Sequence, residues 1–73
     1  MRRLSELKKG EEAVICGFED EKLGLKLQEM GCLPGELVQV EIVAPLGDPI
    51  SLNINGSKLS MRKSVAHTIF VEQ

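Results

Sequence analysis

The side chains that could carry chemistry in this sequence are few and scattered. There are two cysteines, Cys16 and Cys32, and a single histidine, His67. The cysteines are too far apart for a CxxC redox pair, and two of them do not supply the four short-spaced ligands of a zinc site. Cys32, His67, Asp48 and the dispersed glutamates remain candidate metal ligands, although no two of them have a recognisable ligand spacing.

The motifs of common enzyme classes are missing from the sequence. It contains no GxxxxGK[ST] loop for phosphates and no HExxH pair for zinc. With one histidine and no GxSxG elbow, a nucleophile, a base and an orienting group cannot be assembled. We therefore predict that the protein is not an enzyme and has no catalytic residues.

Each cysteine also has a structural interpretation. Cys16 lies in the apolar run of residues 13–16, which predicts a short strand buried on both faces, so Cys16 is expected to be a buried small apolar residue. Cys32 lies between Gly31, expected to end a helix in the left-handed conformation, and Pro34-Gly35, expected to form a type II turn. Because a corner is more exposed, a chemical role for Cys32 stays open.

Composition narrows the possible partners. The 73 residues predict one domain spanning 1–73, and 42% apolar with 27% charged residues indicate a globular chain. A net charge of -2 argues against binding nucleic acid, whose phosphates attract basic proteins. There is no Trp or Tyr, and Phe18 and Phe70 are the only rings, which disfavours base-stacking platforms and aromatic peptide grooves.

Membrane insertion is not expected either. No stretch approaches the roughly 20 apolar residues of a membrane-spanning helix, and no apolar core of a signal peptide follows the basic residues near the start. The expected compartment is the cytoplasm.

The elements that must position these side chains are one helix and several strands. The acidic residues 19–21 suit the first turn of a helix, and Leu23, Leu27 and Met30 form one apolar stripe. Gly24 within this helix is expected to allow a close backbone contact. Residues 4–7 and 62–66 predict short helical turns.

Alternating apolar residues predict the strands. Asn55-Gly56 is a strong signal for a type I′ hairpin turn, with a return strand over residues 57–61 and a last strand over residues 68–71. Several short strands with closely spaced turns indicate a small antiparallel barrel, whose closure would remove exposed edges. The side chains predicted to point inward are Val38, Val40, Ile42, Ile50, Leu52, Ile54, Leu59, Met61, Ile69 and Val71.

The loop over residues 44–50 is bounded by Pro45 and Pro49, which stiffen its backbone. It is either a rigid wide turn or a preformed contact surface with Leu46 at its tip, because a rigid loop loses little entropy on binding.

Four segments in order, LSELKKGEEAVICGF, LQEMGCLPGELVQV, APLGDPI and LSMRKSVAHTIFV, give the chain a family resemblance. From Leu4 to about Glu72 the sequence resembles FeoA, the small protein of bacterial ferrous iron uptake. The resemblance implies a mainly β fold, a small SH3-like antiparallel barrel of about five strands with one inserted α-helix. It also implies a non-enzymatic cytoplasmic accessory that docks on FeoB, a membrane transporter with a GTPase domain. We expect this accessory to require no cofactor.

Two alternatives accompany this interpretation. The family is often described as binding transition metals, which implies a carrier or sensor of Fe(II) with Cys32 and His67 as candidate ligands. The same domain occurs in iron-dependent repressors, which suggests binding of Pro-containing peptides in a groove near Phe18 or Phe70.

Arg62-Lys63 is either a solvated basic pair or faces an acidic partner surface. The candidate partner-binding residues are Leu33, Pro34, Leu46, Asp48, Pro49, Arg62 and Lys63.

Overall fold

The chain folds around one antiparallel sheet, described here for all residues 1–73 from a computed structural model. The strands are β1 (Arg2–Arg3), β2 (Glu12–Phe18), β3 (Leu37–Val43), β4 (Ile50–Ile54), β5 (Ser57–Met61) and β6 (Ile69–Glu72). A 3₁₀ turn (Leu4–Glu6) follows β1, helix α1 (Glu21–Glu29) follows β2, and helix α2 (Lys63–Ala66) follows β5. The predicted mainly β class is confirmed.

The sheet has six strands rather than about five, in the order β1-β6-β2-β3-β4-β5. The additional strand is β1, whose two residues pair only with β6. The expected closure of the sheet is not made by hydrogen bonds, because β1 and β5 are its two end strands.

The centre of the sheet follows the predicted alternation. Ile50, Leu52 and Ile54 of β4 are all buried, and β4 lies between β3 and β5. The turn after β4 is the predicted one, since Asn55 and Gly56 both have positive φ, at 51° and 85°. This hairpin contributes Ile50, Leu52, Ile54 and Met61 to the core, and the remaining core residues come from β2, β3, β6, the two helices, the 3₁₀ turn and the segments that follow it and α1.

Strand β2 differs from its prediction. It is not buried on both faces, because it pairs with antiparallel neighbours and its residues alternate, with Ala13 and Ile15 buried and Val14 exposed. The pairing with β6 shifts register between Ile15 and Gly17, which is a β-bulge. Cys16 therefore lies outside the core.

Ile42 was predicted to point inward with Val38 and Val40, and this prediction is wrong. Val38 and Val40 are buried, but Ile42 is 59% exposed. The pairing of β3 with β4 shifts register between Val40 and Ile42, and a bulge of this kind turns the following side chains to the other face.

Helix α1 begins at a capped end. Asp20 is the N-cap, and its side chain accepts a hydrogen bond of 3.0 Å from the Leu23 backbone N–H. Of the three acidic residues expected in the first turn, only Glu21 lies there. Along the predicted stripe Leu27 is buried, whereas Met30 is exposed. Neither helix has the length and apolar character that crossing a membrane requires.

Candidate partner-binding site

Five of the seven candidate partner-binding residues lie together at one end of the β4–β5 hairpin. Ile50, the first residue of β4, pairs with Met61, the last residue of β5. The residues before Ile50 and after Met61 are consequently neighbours. We call this surface the Leu46 corner; it consists of Leu46, Asp48, Pro49, Arg62 and Lys63.

Hydrogen bonds hold the loop of the Leu46 corner in place. The Ala44 backbone N–H donates to the Pro49 carbonyl at 3.1 Å, and the Gly47 N–H donates to the Ala44 carbonyl at 2.7 Å. The Asp48 carboxylate accepts a 2.8 Å hydrogen bond from the backbone N–H of Lys63, the first residue of α2. The loop is thus joined both to itself and to α2.

The side chains that remain free at the Leu46 corner are one apolar residue and two basic residues. Leu46 is 97% exposed. Arg62 and Lys63 are exposed, and neither forms an ion pair. Asp48, Pro49 and Arg62 line a shallow recess beside them.

Replacing Asp48 by Ala is expected to lower the free energy of unfolding by about 1 kcal/mol, the usual loss when a side chain stops capping a helix. The cause is the unpaired Lys63 N–H at the start of α2. Asp48→Asn keeps an acceptor oxygen, so it is expected to retain most of the stability. Urea unfolding of the three proteins measures both effects, and equal losses for Ala and Asn would show that the hydrogen bond does not stabilise the fold.

The other two candidates, Leu33 and Pro34, lie elsewhere. Leu33 is 44% exposed and lines a groove that includes Met30 and Leu59 and the turn end of the β4–β5 hairpin. Its carbonyl accepts the Glu36 N–H at 3.1 Å across the predicted Pro34-Gly35 turn. The length of β4, about 14 Å for four intervals of about 3.4 Å, separates this turn from the Leu46 corner. The seven candidates therefore form two separate surfaces.

The relative exposure of the cysteines is the reverse of the prediction. Cys32 has no exposed surface, and its backbone N–H donates to the Leu27 carbonyl at 2.9 Å. Cys16 is half-buried on the outer side of β2, where its Sγ–H donates to the Val14 carbonyl at 3.4 Å. Cys32 is more buried than Cys16 because it joins the core directly after α1, while the alternation of β2 places Cys16 on the outer side, opposite to Ile15.

Neither cysteine has the environment of a reactive thiol. Burial raises the pKa of the Cys32 thiol. Loss of hydration, followed by the charge of Glu72, raises the pKa of the Cys16 thiol. A highly reactive cysteine has a lowered pKa that supplies thiolate, and the pKa of each of these thiols is shifted in the opposite direction.

Alkylation of the native protein with iodoacetamide at pH 8 is expected to modify Cys16 before Cys32. Because Cys32 is fully buried, its labelling requires opening of the fold, and we expect it to be slower by about a hundredfold. Mass spectrometry of peptides at timed intervals measures the two rates. Equal rates would contradict the burial of Cys32, and denaturant should make the rates similar.

The burial of Cys32 also predicts the direction in which pH changes the free energy of unfolding. The folded-state pKa of this thiol is higher than its unfolded-state pKa. The stabilisation that comes from burying the neutral thiol is therefore fully present below the ordinary thiol pKa. It is lost as the pH rises from that value through the raised pKa of the folded state.

His67 has a structural position. It is the C-cap of α2, and its backbone N–H donates to the Lys63 carbonyl at 2.9 Å. Its Nδ1 lies 3.3 Å from the Ser5 hydroxyl, and its carbonyl accepts a 2.7 Å hydrogen bond from the Arg3 guanidinium. His67 thereby joins α2 to the N-terminal segment.

The candidate metal ligands do not assemble into a site. Nowhere in the chain do three or more His, Cys, Asp or Glu side chains lie close enough to hold an ion together. Cys32 is enclosed by the core, Asp48 accepts from the Lys63 N–H, and His67 faces Ser5. The residues present do not fit a resident transition metal, which needs several convergent ligands.

The two phenylalanines also differ from an aromatic peptide groove. Phe18 lines a shallow recess along α1 whose other residues are mostly charged or polar. Phe70 is half-buried, and the Arg3 guanidinium lies 5.0 Å from its ring centroid. Grooves that hold proline-rich segments combine several rings, and here the two rings belong to separate surroundings.

Comparison with known proteins decides the family. A family model described as the FeoA domain matches residues 2–73. The chain belongs to the FeoA family. The predicted membership is confirmed, and the FeoA family is linked to ferrous iron transport.

One curated relative of this FeoA-family chain is a much longer protein. It is the Fe(2+) transport protein A/Fe(2+) transporter FeoB fusion protein of Porphyromonas gingivalis, 39% identical over 71 residues. The match covers 96% of the FeoA-family chain described here and 8% of the fusion protein.

Solved structures share the fold. The FeoA-like protein from Clostridium acetobutylicum has a TM-score of 0.89 at 38% identity, over 97% of this chain and 84% of that one. Stenotrophomonas maltophilia FeoA complexed with zinc has a TM-score of 0.85 at 26% identity, over 99% and 91% of the two chains, and it is described as a prokaryotic SH3 domain protein. The predicted SH3-like class is confirmed for this FeoA-family chain.

Proposed function

We propose that this chain is a non-enzymatic cytoplasmic accessory of ferrous iron uptake that acts by docking on FeoB. The observation that carries the proposal is the fusion protein, in which a segment 39% identical to nearly all of this chain is joined to FeoB. Covalent linkage keeps two modules at a high effective concentration. A FeoA-family domain that acts on FeoB by contact also needs a surface that docks on it.

The surfaces available for docking are the Leu46 corner and the Leu33-Pro34 turn. Both expose a leucine on a backbone fixed by hydrogen bonds, so little conformational entropy is lost on binding. Action by contact agrees with the chemistry of the chain, in which the two thiols have raised pKa values and His67 is used for capping.

The proposal is tested by titrating the ¹⁵N-labelled chain with the soluble cytoplasmic part of FeoB, and then with the full-length transporter in detergent. We expect chemical-shift changes or loss of signal confined to one surface at about 100 μM, the range of weak contacts. Nucleotide is included in parallel samples, because FeoB carries a GTPase domain. Spectra unchanged in all of these titrations would reject docking.

A second candidate function is transition-metal binding, as a carrier or sensor of Fe(II). It is favoured by one observation, that the Stenotrophomonas maltophilia relative was crystallised in complex with zinc. Against it stands the scattered arrangement of the potential ligands in this chain.

Anaerobic calorimetry with Fe(II) separates the two functions. Binding heat that disappears in a Cys32→Ala/His67→Ala variant would support a metal site at these residues. Heat that survives in this variant would assign the metal to other ligands, and no heat at all would end this alternative.

A further inference from the structure

We propose that docking uses the Leu46 corner rather than the Leu33-Pro34 turn, and that the partner surface is an apolar socket flanked by carboxylates. This inference rests on the proposed function, since FeoB is taken as the partner. It adds which surface of the chain docks and what chemistry the surface meets.

The apolar part of the argument begins with Leu46. At 97% exposure it is the most exposed large apolar side chain of the protein. The loop that carries it is closed by the Ala44–Pro49 hydrogen bond and joined to α2 through Asp48. A side chain presented in this way is suited to insertion into a socket, because its backbone is already ordered before binding.

The bulge in β3 leaves a second apolar side chain exposed close to this loop in sequence. After the register shift that follows Val40, Ile42 is 59% exposed, and Val43, on the opposite face of the strand, is 37% exposed. Bulges are frequent where a side chain is re-aimed at a functional surface. Ile42 is thus exposed two residues before the loop that carries Leu46, although the sequence pattern predicted it inside.

The charge of the Leu46 corner indicates which residues of the partner surround the apolar socket. Arg62 and Lys63 are exposed and unpaired, and the carboxylate nearest to them, Asp48, already accepts the Lys63 backbone N–H. The chain as a whole has a net charge of -2, so this basic pair is a local feature. Complementary surfaces place opposite charges against each other, which specifies carboxylates on the partner.

A protein is favoured over an anionic membrane as the partner. Basic segments that bind anionic lipids carry about four to eight lysines or arginines, and the corner has two. The net negative charge of the chain would also oppose approach to an anionic membrane.

The test compares corner variants with matched variants of α1. The corner variants are Leu46→Ser and Arg62→Gln/Lys63→Gln. Helix α1 offers the control, because Leu25 is 65% exposed and Lys22 and Lys26, which are exposed nearby, lack ion pairs. The control variants are Leu25→Ser and Lys22→Gln/Lys26→Gln.

Affinity for full-length FeoB in detergent is measured by fluorescence anisotropy, after thermal unfolding has established that each variant is folded. Each corner variant is expected to raise Kd about tenfold, and each control variant to leave Kd unchanged. Raising NaCl from about 0.05 to about 0.5 M is expected to weaken the wild-type complex several-fold and the Arg62→Gln/Lys63→Gln complex much less.

The outcomes separate this inference from the proposed function. If wild type binds and the corner variants bind equally well, or if the control variants are weakened as much, the Leu46 corner is not the docking surface, while docking itself stands. If wild type does not bind FeoB in any state, the proposed function fails. Binding to phosphatidylglycerol vesicles without FeoB, lost in Arg62→Gln/Lys63→Gln, would assign the corner to lipid and overturn the protein socket.

Discussion

Replacing Leu52 by Ala is expected to lower the free energy of unfolding by about 3 kcal/mol. Leu52 has no exposed surface and lies in β4 between Val40 on one neighbouring strand and Leu59 on the other. The loss combines the transfer of the leucine side chain with the cavity left in a core that has few residues to close it. For a domain of this size, the melting temperature is expected to fall by roughly 15 °C.

Leu46→Ala is the matched control, since it makes the same chemical change at a position that is 97% exposed. Its effect on stability is expected to stay within about 0.5 kcal/mol. Thermal and urea unfolding of the two variants and wild type provide the comparison. If both variants lost the same stability, the placement of Leu52 in the core and of Leu46 at the surface would be incorrect.

Replacing Gly24 by Val is expected to lower the free energy of unfolding by about 2 kcal/mol, within the range for overpacking a close contact. A Cβ atom at Gly24 would lie 2.9 Å from Cβ and 3.0 Å from Cγ of Phe18. These atoms are near the Phe18 backbone, so relief of the clash requires α1 to move away from β2. The exposed position Leu25 supplies the control.

Leu25→Val places the same residue one position along the helix, where it costs only helix propensity, about 0.5 kcal/mol or less. Circular dichroism during urea unfolding measures the stability of both variants. A Gly24→Val protein as stable as Leu25→Val would contradict the close packing of α1 on Phe18. Adding Phe18→Ala should relieve only part of the cost of Gly24→Val, because it removes the Cγ contact at 3.0 Å and keeps the Cβ contact at 2.9 Å.

Local turn chemistry could be predicted from the sequence with accuracy. The Asn55-Gly56 hairpin and the turn at Pro34-Gly35 depend on residues that adopt positive φ or fix φ, and their conformations follow from residue type. The alternation of Ile50, Leu52 and Ile54 also predicted their burial correctly, because the extra residue of the bulge lies in β3 and β4 itself stays regular.

Features that depend on pairing register were not predictable in the same way. The bulge that exposes Ile42 adds one residue to β3 relative to β4, and the alternating apolar pattern contains no sign of it. The exposures of Cys16 and Cys32 were reversed because they depend on tertiary pairing: β2 has antiparallel neighbours and one outer face that carries Cys16, and Cys32 joins the core after α1.

In the candidate site, too, some features follow from residue type and others depend on how the strands pair. Proline content identified the stiff loop and its leucine tip from the sequence, and the structure places Leu46 at an exposed tip. The hydrogen bond from the Lys63 N–H to Asp48 joins residues far apart in sequence, and only the β4–β5 pairing brings them together. That contact shows Asp48 positioning the loop, and it leaves Leu46 and the basic pair as the residues that we propose for docking.

The most direct test of action by contact is ferrous iron uptake by cells that carry FeoB but lack their own FeoA, with this chain supplied in its place. If the wild-type chain acts by docking, Cys32→Ala/His67→Ala is expected to restore uptake as wild type does, and Leu46→Ser/Arg62→Gln/Lys63→Gln is expected to fail at equal protein abundance. Uptake restored by the corner variant and abolished in Cys32→Ala/His67→Ala would contradict docking and favour a metal carrier.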